Sequence, residues 1–217
     1  MPDLADVYRA QARPGGSEHW SGPPQMVERI ARTLGTAPAD LVVDVGCGVG
    51  GPAWRLAELV GCRVIGVDVV HEVVRSGARR FGRRVRFVGG AAEALPLRSG
   101  VADQLWSLGT AAHVVEQDRM GAEVARVLRP GGRLAITEAF WEGRGRPRFS
   151  ATAPRPWRPL TVCGLMSALQ ASGLDDIRAL PWPGVGIAGA YDASDPELRR
   201  DLREGRLVPT LVVGRKP

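Results

Sequence analysis

The chain has 217 residues, of which 44% are hydrophobic and 24% are charged. That length suits one domain with its own core, and the composition is typical of a globular protein rather than a disordered one. Apolar runs are interrupted by Asp or Gly well before the roughly 20 residues that a membrane span needs. Residues 1–20 lack the basic start and apolar centre of a signal peptide, so we expect a cytoplasmic protein without a membrane span.

The formal net charge is +6, from 29 basic and 23 acidic residues. Such a charge can indicate a polyanionic partner. Here Lys216 is the only lysine and asparagine is absent, a bias that a GC-rich coding sequence produces, so the charge does not favour nucleic-acid binding. The three cysteines, Cys47, Cys62 and Cys163, are too far apart for a disulfide framework or a paired-cysteine metal site, and we predict no metal.

Alternating helix and strand patterns begin near residue 24. The apolar spacing over 24–34 predicts an amphipathic helix, and the apolar run Leu41–Val45 is short enough for a buried strand. The glycine cluster Gly46–Gly51 follows, and the pattern then predicts a helix from Pro52 to Gly61. A second strand at Val64–Val67 completes a strand, turn, helix and strand unit.

The alternation continues to the end of the chain. It predicts a helix near 71–80, strands at Val85–Val88 and Ala102–Ser107, a helix at about 117–128, a strand at Arg133–Glu138, a helix from Val162 to Gly173, a strand at Ile177–Leu180, a short helix from Pro196 and a closing strand at Thr210–Val213. Because Pro209 cannot donate a ladder hydrogen bond, we expect the closing strand at an edge. The pattern implies an α/β fold, with a doubly wound parallel sheet, helices on both faces and a ligand site at the carboxyl ends of the strands.

We interpret residues 1–217 as a single domain with two covering segments. Residues 1–22 are predicted to form an N-terminal lid, and the turn-rich residues 140–160 a substrate flap. Trp20, Trp141 and Tyr191 lie on segments able to fold over the site, so they are candidate substrate-binding residues.

The glycine loop is compatible with two kinds of cofactor. Gly46–Gly50 has the spacing GxGxG, whereas Gly46–Gly51 satisfies the GxGxxG pattern of dinucleotide sites. Asp68, at the end of the second strand, could accept the ribose hydroxyls of either nucleoside. Asp44 favours a nucleoside that bears an amino acid, because its carboxylate would attract an ammonium group and repel a pyrophosphate.

Four segments, in this order and spacing, resemble the class I S-adenosylmethionine-dependent methyltransferases. They are Val42–Gly51, Gly66–Asp68, Ala92–Leu97 with the following Ala102-Asp103, and Ala125–Leu134. The resemblance covers most of residues 25–180. It implies a Rossmann-like methyltransferase fold, with a mostly parallel seven-stranded sheet whose last strand is antiparallel. It also implies S-adenosylmethionine as cofactor and S-adenosylhomocysteine as product.

The resemblance further implies which residues contact the cofactor. Asp44 and the backbone of Gly46–Gly50 would hold the methionine portion, Asp68 would bind the ribose hydroxyls and Val69 would pack against adenine. Cys47 is interpreted as a small residue packed behind the loop rather than a nucleophile. The complete implied cofactor set is Asp44, Gly46, Cys47, Gly48, Gly50, Asp68, Val69, Ala92, Glu93 and Leu108.

His113 follows the fourth strand at a position where members of this family frequently have a histidine. A neutral imidazole there could accept a proton from a substrate hydroxyl or amine, which makes His113 a candidate catalytic and substrate-binding residue. The alternative interpretation is a histidine that caps the loop or packs beneath it.

The function favoured by these observations is methyl transfer to an oxygen, nitrogen or carbon atom of a small molecule, in natural-product tailoring, by a monomer or homodimer. Three alternatives stay open. They are an RNA methyltransferase, a catalyst on the same fold that binds the nucleoside without transferring methyl, and a nicotinamide oxidoreductase. Asp44 and the small room for a separate substrate domain count against the oxidoreductase.

Overall fold

The computed structural model describes residues 25–143, 145, 147–148, 158–182 and 196–217. The helices are α1 (Gln25–Leu34), α2 (Gly51–Val60), α3 (His71–Phe81), α4 (Gln117–Val127), α5 (Val162–Ala171) and α6 (Pro196–Arg203), and a 3-10 turn spans Ala111–His113. The strands are β1 (Leu41–Val45), β2 (Arg63–Asp68), β3 (Val85–Gly89), β4 (Ala102–Leu108), β5 (Leu128–Trp141), β6 (Asp175–Pro181) and β7 (Leu207–Arg215). Each element predicted from the sequence has a counterpart among them.

The strands form one seven-stranded sheet in the order β3-β2-β1-β4-β5-β7-β6. Strands β1 to β5 pair in parallel, and β7 is antiparallel to both of its neighbours. This confirms the predicted doubly wound sheet with an antiparallel last strand. The strand order reverses between β1 and β4, so the carboxyl ends of these strands flank the crevice where such sheets bind ligands.

The prediction of an edge position for the closing strand is wrong. Strand β7 lies between β5 and β6, and β6 is the edge strand. Pro209 pairs with Ala139 of β5, and its carbonyl oxygen accepts the N–H of Trp182 at 3.2 Å, just beyond the last residue of β6. The missing N–H of Pro209 therefore falls where the neighbouring strand has ended, and the proline costs the ladder little.

Strand β5 is longer than its predicted span, Arg133–Glu138, because the Pro130–Gly132 segment is part of it. The pairing with β4 shifts register between Ala102 and Gln104, which accommodates this segment. The N–H of Gly131 donates to the carbonyl of Lys216 at 2.9 Å, and the N–H of Lys216 donates to Gly132 at 2.8 Å. These bonds extend the strand to residues that lie before its predicted start at Arg133.

Apolar side chains from two helical layers cover the two faces of the sheet. On one face α4 and α5 contribute Met120 and Leu165 to a buried cluster. On the other face α1 and α2 contribute Ile30 and Leu56, which pack in a cluster with Trp106 of β4. Burial of both faces explains the nearly continuous apolar runs of the central strands.

A buried polar network fastens α1 to the amino ends of the strands. Gln104 is fully buried, and its Nε2 donates to Oδ2 of Asp40 at 2.7 Å. Its Oε1 accepts Oγ1 of Thr36 at 2.9 Å and Nε1 of Trp106 at 3.1 Å. Arg133 donates to the same Asp40 oxygen at 3.2 Å. The network lies at the end of the sheet opposite the glycine loop, so its role is structural.

We expect Gln104→Leu to lower the free energy of unfolding by about 2 to 4 kcal/mol, since it removes three hydrogen bonds and leaves the buried Nε1 of Trp106 without its partner. Denaturation in urea, monitored by circular dichroism, measures the change. Thr36→Val is the matched control, because it removes one partly exposed hydrogen bond and should cost no more than about 1.5 kcal/mol. An equal effect of the two substitutions would contradict this account of the network.

Candidate functional site

The glycine loop leaves β1 at the strand-order reversal and leads into α2. Gly46, Gly48 and Gly50 adopt φ values of 72°, 55° and 86°, a left-handed conformation that other residues adopt at a cost. The N–H groups of Gly46 and Cys47 both donate to the carbonyl of Val67, at 2.8 and 3.1 Å, which ties the loop to β2. The loop predicted from the sequence is therefore present, with its backbone at the crevice.

Two side chains from distant parts of the sequence enclose the loop. A Cβ on Gly46 would lie 2.2 Å from Oγ1 of Thr110, and a Cβ on Gly50 would lie 2.4 Å from the ring of Phe87. Oγ1 of Thr110 also donates to the Gly46 carbonyl at 3.3 Å. No motif in the sequence points to Thr110 or Phe87, because both reach the loop only through the strand order of the sheet.

Asp44, near the end of β1, has a buried carboxylate with an unused acceptor. Its side chain is 3% exposed, and Oδ1 accepts no hydrogen bond from any residue in the described ranges. Burial, and secondarily the charge of Asp68, raise the pKa of Asp44 to about 7. A buried polar atom without a partner is costly, and a cationic group of a ligand would supply the missing donor.

Asp68, at the end of β2, holds the loop with both carboxylate oxygens. Oδ2 accepts the N–H of Gly48 and Oδ1 accepts the N–H of Val70, each at 2.9 Å. Burial raises the pKa of Asp68, and these backbone donors oppose that shift. Because each oxygen has a second lone pair, the carboxylate can also accept hydroxyl donors from a ligand. This support of the loop was not predicted from the sequence.

The predicted adenine-binding residues lie at the same edge of the sheet. Val69 is 64% exposed, an uncovered apolar side chain directly after Asp68. Ala92 is buried, and Glu93 is half-buried in the loop after β3. Oε1 of Glu93 accepts the N–H of Val115 at 3.3 Å. The position of Val69 is compatible with packing against a flat base, and the roles of all three residues stay predictions.

Two members of the predicted cofactor set have fully buried side chains. Cys47 packs against Gly66, where a Cβ would lie 2.8 Å from its Sγ. Burial raises the pKa of the Cys47 thiol well above its usual value, which supports the interpretation as a packing residue rather than a nucleophile. The side chain of Leu108 lies in the core beneath α1 and α2. Both residues could therefore contact a ligand only through their backbone.

His113 ends the 3-10 turn that follows β4, and it is 8% exposed. Glu138, near the end of β5, lies against this turn, because its Oε2 accepts the N–H of Ala112 at 3.1 Å. Burial raises the pKa of Glu138 to about 7, although two backbone donors oppose the shift. The sequence pattern indicates Glu138 only as the end of a strand, since no local pattern links it to the turn.

The predicted substrate residues are described only in part. Trp141 is half-buried at the end of β5, and its N–H donates to the carbonyl of Leu160 at 2.8 Å. Trp20 and Tyr191 lie outside the described residues, as do the predicted lid at 1–22 and part of the flap at 140–160. The substrate wall that these residues were predicted to form therefore stays a prediction.

The carboxylates of Asp44 and Asp68, the backbone amides of the glycine loop and the Thr110 hydroxyl are among the polar groups at the carboxyl edge. Within the described ranges, no group of three or more His, Cys, Asp or Glu side chains could hold a metal ion. In that same part of the chain, no helix has both the length and the apolar character to cross a membrane.

The geometry of this edge agrees with a family match. Residues 43–136 match the family model described as a methyltransferase domain. The matched region begins in β1 and ends in β5, so it includes the glycine loop, Asp68 and the turn with His113. For residues 43–136, this match supports the predicted resemblance to the class I methyltransferases.

The chain is similar to one curated relative and to two solved structures, among others. It is 39% identical over 124 residues to methyltransferase GfsG of Streptomyces halstedii, covering 55% of this chain and 45% of that protein. Geranyl diphosphate C-methyltransferase of Streptomyces coelicolor A3(2) superposes with a TM-score of 0.81 at 19% identity, covering 100% and 99% of the two chains. The [4+2]-cyclase SpnF superposes with a TM-score of 0.76 at 21% identity, covering 99% and 93%.

The solved structures and the curated relatives support different conclusions. The two solved structures, at such low identity, show the fold of the chain alone. The chain matches less than half of the length of the curated relatives, as the GfsG alignment shows. The reaction and the substrate must therefore be argued from the site.

Proposed function

We propose that this protein transfers the methyl group of S-adenosylmethionine to an oxygen, nitrogen or carbon atom of a small molecule. The buried, unpartnered Oδ1 of Asp44 carries the proposal, because it lies beside the glycine loop and lacks a hydrogen-bond donor, which the ammonium group of a ligand would supply. An amino-acid-bearing nucleoside has such a cation, whereas a nicotinamide dinucleotide would bring its pyrophosphate against a negative charge.

The site has a residue suited to each of three parts of this cofactor, the ammonium group, the ribose and the adenine. Asp44 would hold the ammonium group, Asp68 would accept the ribose hydroxyls and Val69 would cover one face of adenine. The exposed side chain of Val69 and the spare lone pairs of Asp68 leave both able to make these contacts. The chemistry that the cofactor supplies is an already activated methyl group on a sulfonium.

With an activated methyl group, the protein contributes mainly by orienting the acceptor and excluding water. Proximity and orientation can supply about 7 to 11 kcal/mol of a reaction barrier. His113, held at the same edge on the turn after β4, is the residue we propose to accept a proton from the acceptor. Acceptors that are already deprotonated would not need this step.

Calorimetry tests the proposal directly. Titration of the folded protein with S-adenosylhomocysteine should show saturable binding, and titration with NAD should show none. Binding of NAD in place of S-adenosylhomocysteine would overturn it and favour a nicotinamide oxidoreductase.

The reaction product distinguishes methyl transfer from non-methylating catalysis. Mass spectrometry of small-molecule reaction mixtures should show addition of a methyl group, whereas a non-methylating catalyst would leave the elemental composition of its substrate unchanged. An RNA methyltransferase would bind with a steep salt dependence. The arginine-lined groove, formed by Arg79, Arg80, Arg83 and Arg86 among others, lies between α3 and the edge strand β3, so it is the surface on which such a salt dependence would be tested.

Binding of S-adenosylhomocysteine is expected to release protons near pH 7, because the raised pKa of Asp44, about 7, leaves much of this carboxyl protonated before the ammonium arrives. The ammonium group favours the carboxylate, so affinity should rise with pH through this range and level off about one unit above it. Calorimetry in buffers of different ionisation enthalpy measures the released protons. Asp44→Asn should abolish the release, and an unchanged release in that variant would contradict the assignment.

A further inference from the structure

We infer that Glu138 is a positioning residue, which holds the turn of His113 against β5 and couples it to the two ends of the flap. The inference concerns Ala111–His113, called here the His113 turn, and residues 158–160, called the returning segment. Only its consequence for methyl transfer rests on the proposed function. The contacts that carry it are independent of any ligand.

The Glu138 carboxylate is fixed by two backbone donors. Oε2 accepts the N–H of Ala112 at 3.1 Å, and Oε1 accepts the N–H of Ala139 at 3.0 Å. The side chain is only 6% exposed, so water does not compete freely for these oxygens. A buried carboxylate that accepts from two main-chain amides has little freedom to rotate. The centre of the His113 turn is therefore held to β5.

The opposite side of the same turn is held by the returning segment. The carbonyl of Ala112 accepts the N–H of Arg158 at 2.9 Å. The carbonyl of Leu160 accepts the N–H of Trp141, which lies on β5 a short distance after Glu138. The contacts therefore form a closed ring from Glu138 to Ala112, to the returning segment, to Trp141 and back along β5.

This ring joins the proposed proton acceptor to the flap. His113 follows Ala112 directly, so a shift of the Ala112 backbone displaces the imidazole. The flap leaves β5 near Trp141 and comes back at the returning segment, so the same hydrogen bonds fix both of its ends. Glu138 is the side chain that connects the ring to the turn, and it acts through Ala112 rather than by touching a substrate.

Glu138→Gln tests the inference, because an amide side chain has one acceptor oxygen where the carboxylate has two. Asp103→Asn is the matched control. Oδ2 of Asp103 also accepts a backbone N–H, that of Leu41, at 2.7 Å, but at the amino end of the sheet. Both substitutions replace a carboxyl group that accepts a backbone N–H by an amide, and Asp103→Asn also weakens the ion pair of Asp103 with Arg129 at that end of the sheet.

Residue-resolved hydrogen exchange measures the effect. In Glu138→Gln we expect the amides of Ala112 and Arg158 to exchange about five- to tenfold faster, as loss of one hydrogen bond would produce, while Leu41 is unchanged. In Asp103→Asn the pattern should reverse. Faster exchange at Leu41 and Ala112 together in Glu138→Gln would indicate a general loss of stability and would overturn the inference.

The NMR resonances of the His113 imidazole are sensitive to the position of this side chain. In protein labelled with ¹⁵N-histidine, the His113 resonances, identified by their loss in His113→Gln, should move in Glu138→Gln, whereas those of His71 should not. Affinity for S-adenosylhomocysteine should stay within about twofold of the wild type, because Asp44 and Asp68 lie on other strands. Unmoved His113 resonances in folded Glu138→Gln would also overturn the inference.

A second variant, Glu138→Asp, tests the inference if Glu138→Gln does not fold. Glu138→Asp keeps the charge but is shorter by one methylene group, so it should show the same local increase in exchange at Ala112 and Arg158. Wild-type exchange in Glu138→Asp would overturn the inference. Failure of the proposed function would be recognised separately, as absence of S-adenosylhomocysteine binding by the wild-type protein, and it would leave the exchange results valid.

Discussion

Asp68→Ala is expected to weaken the binding of S-adenosylhomocysteine by about a hundredfold or more. Hydrogen bonds to a charged group contribute about 1.5 to 3 kcal/mol each, and two ribose hydroxyls would lose theirs. A loss of about 3 kcal/mol in total corresponds to roughly a hundredfold in affinity. The N–H of Gly48, which donates to this carboxylate at 2.9 Å, would also lose its partner. The glycine loop would then be less well ordered for the ligand.

Calorimetry with the purified variants measures this effect. Asp68→Asn should be intermediate, since the amide keeps one oxygen as an acceptor and presents donors in place of the other. Asp103→Asn, at the amino end of the sheet, should bind like the wild type. Undiminished binding by folded Asp68→Ala would show that the ribose lies elsewhere, and the placement of the cofactor would have to be abandoned.

Gly46→Ala is expected to cost about 2 to 5 kcal/mol of stability and to abolish measurable cofactor binding. A left-handed φ costs an alanine about 1 to 2 kcal/mol, and the φ of Gly46 is 72°. The new Cβ would in addition lie 2.2 Å from Oγ1 and 2.3 Å from Cγ2 of Thr110. Either Thr110 or the loop must move, and overpacking of a buried site typically costs a further 1 to 3 kcal/mol or so.

Gly61→Ala separates these two contributions. Gly61 has a φ of 77°, and a Cβ there would meet nothing within 4 Å. Its cost should therefore be the conformational one alone, about 1 to 2 kcal/mol, with normal cofactor binding. Adding Thr110→Ala to Gly46→Ala removes the two nearest colliding atoms and should recover part of the lost stability. Equal costs for Gly46→Ala and Gly61→Ala in urea denaturation would contradict the steric argument.

The parts of the site that could be predicted from the sequence are those encoded by neighbouring residues. The apolar run of β1, the glycine loop and the start of α2 are continuous in the chain, so their order alone places Asp44 and Gly46 at the crevice. Asp68 was predictable for the same reason, as the acid that ends the next strand. The resemblance to the methyltransferases supplied the roles of these residues.

What could not be predicted depends on contacts between distant segments. Thr110 and Phe87 meet the glycine loop, and Glu138 meets the His113 turn, only after the strands have assembled in their order. The place of β7 shows the same limit. Pro209 indicated an edge, but the choice between an edge and an interior position depends on where β6 ends, which no local pattern contains.

The insertion of β7 between β5 and β6 has a consequence for folding during translation. Strand β6 pairs with β7 and with no other strand in the described structure, although its residues precede those of β7. On the ribosome, the five parallel strands and the glycine loop can therefore assemble while β6 still has no strand to pair with. The nascent chain keeps one side of β5 open until β7 emerges, and the outer strand joins only then.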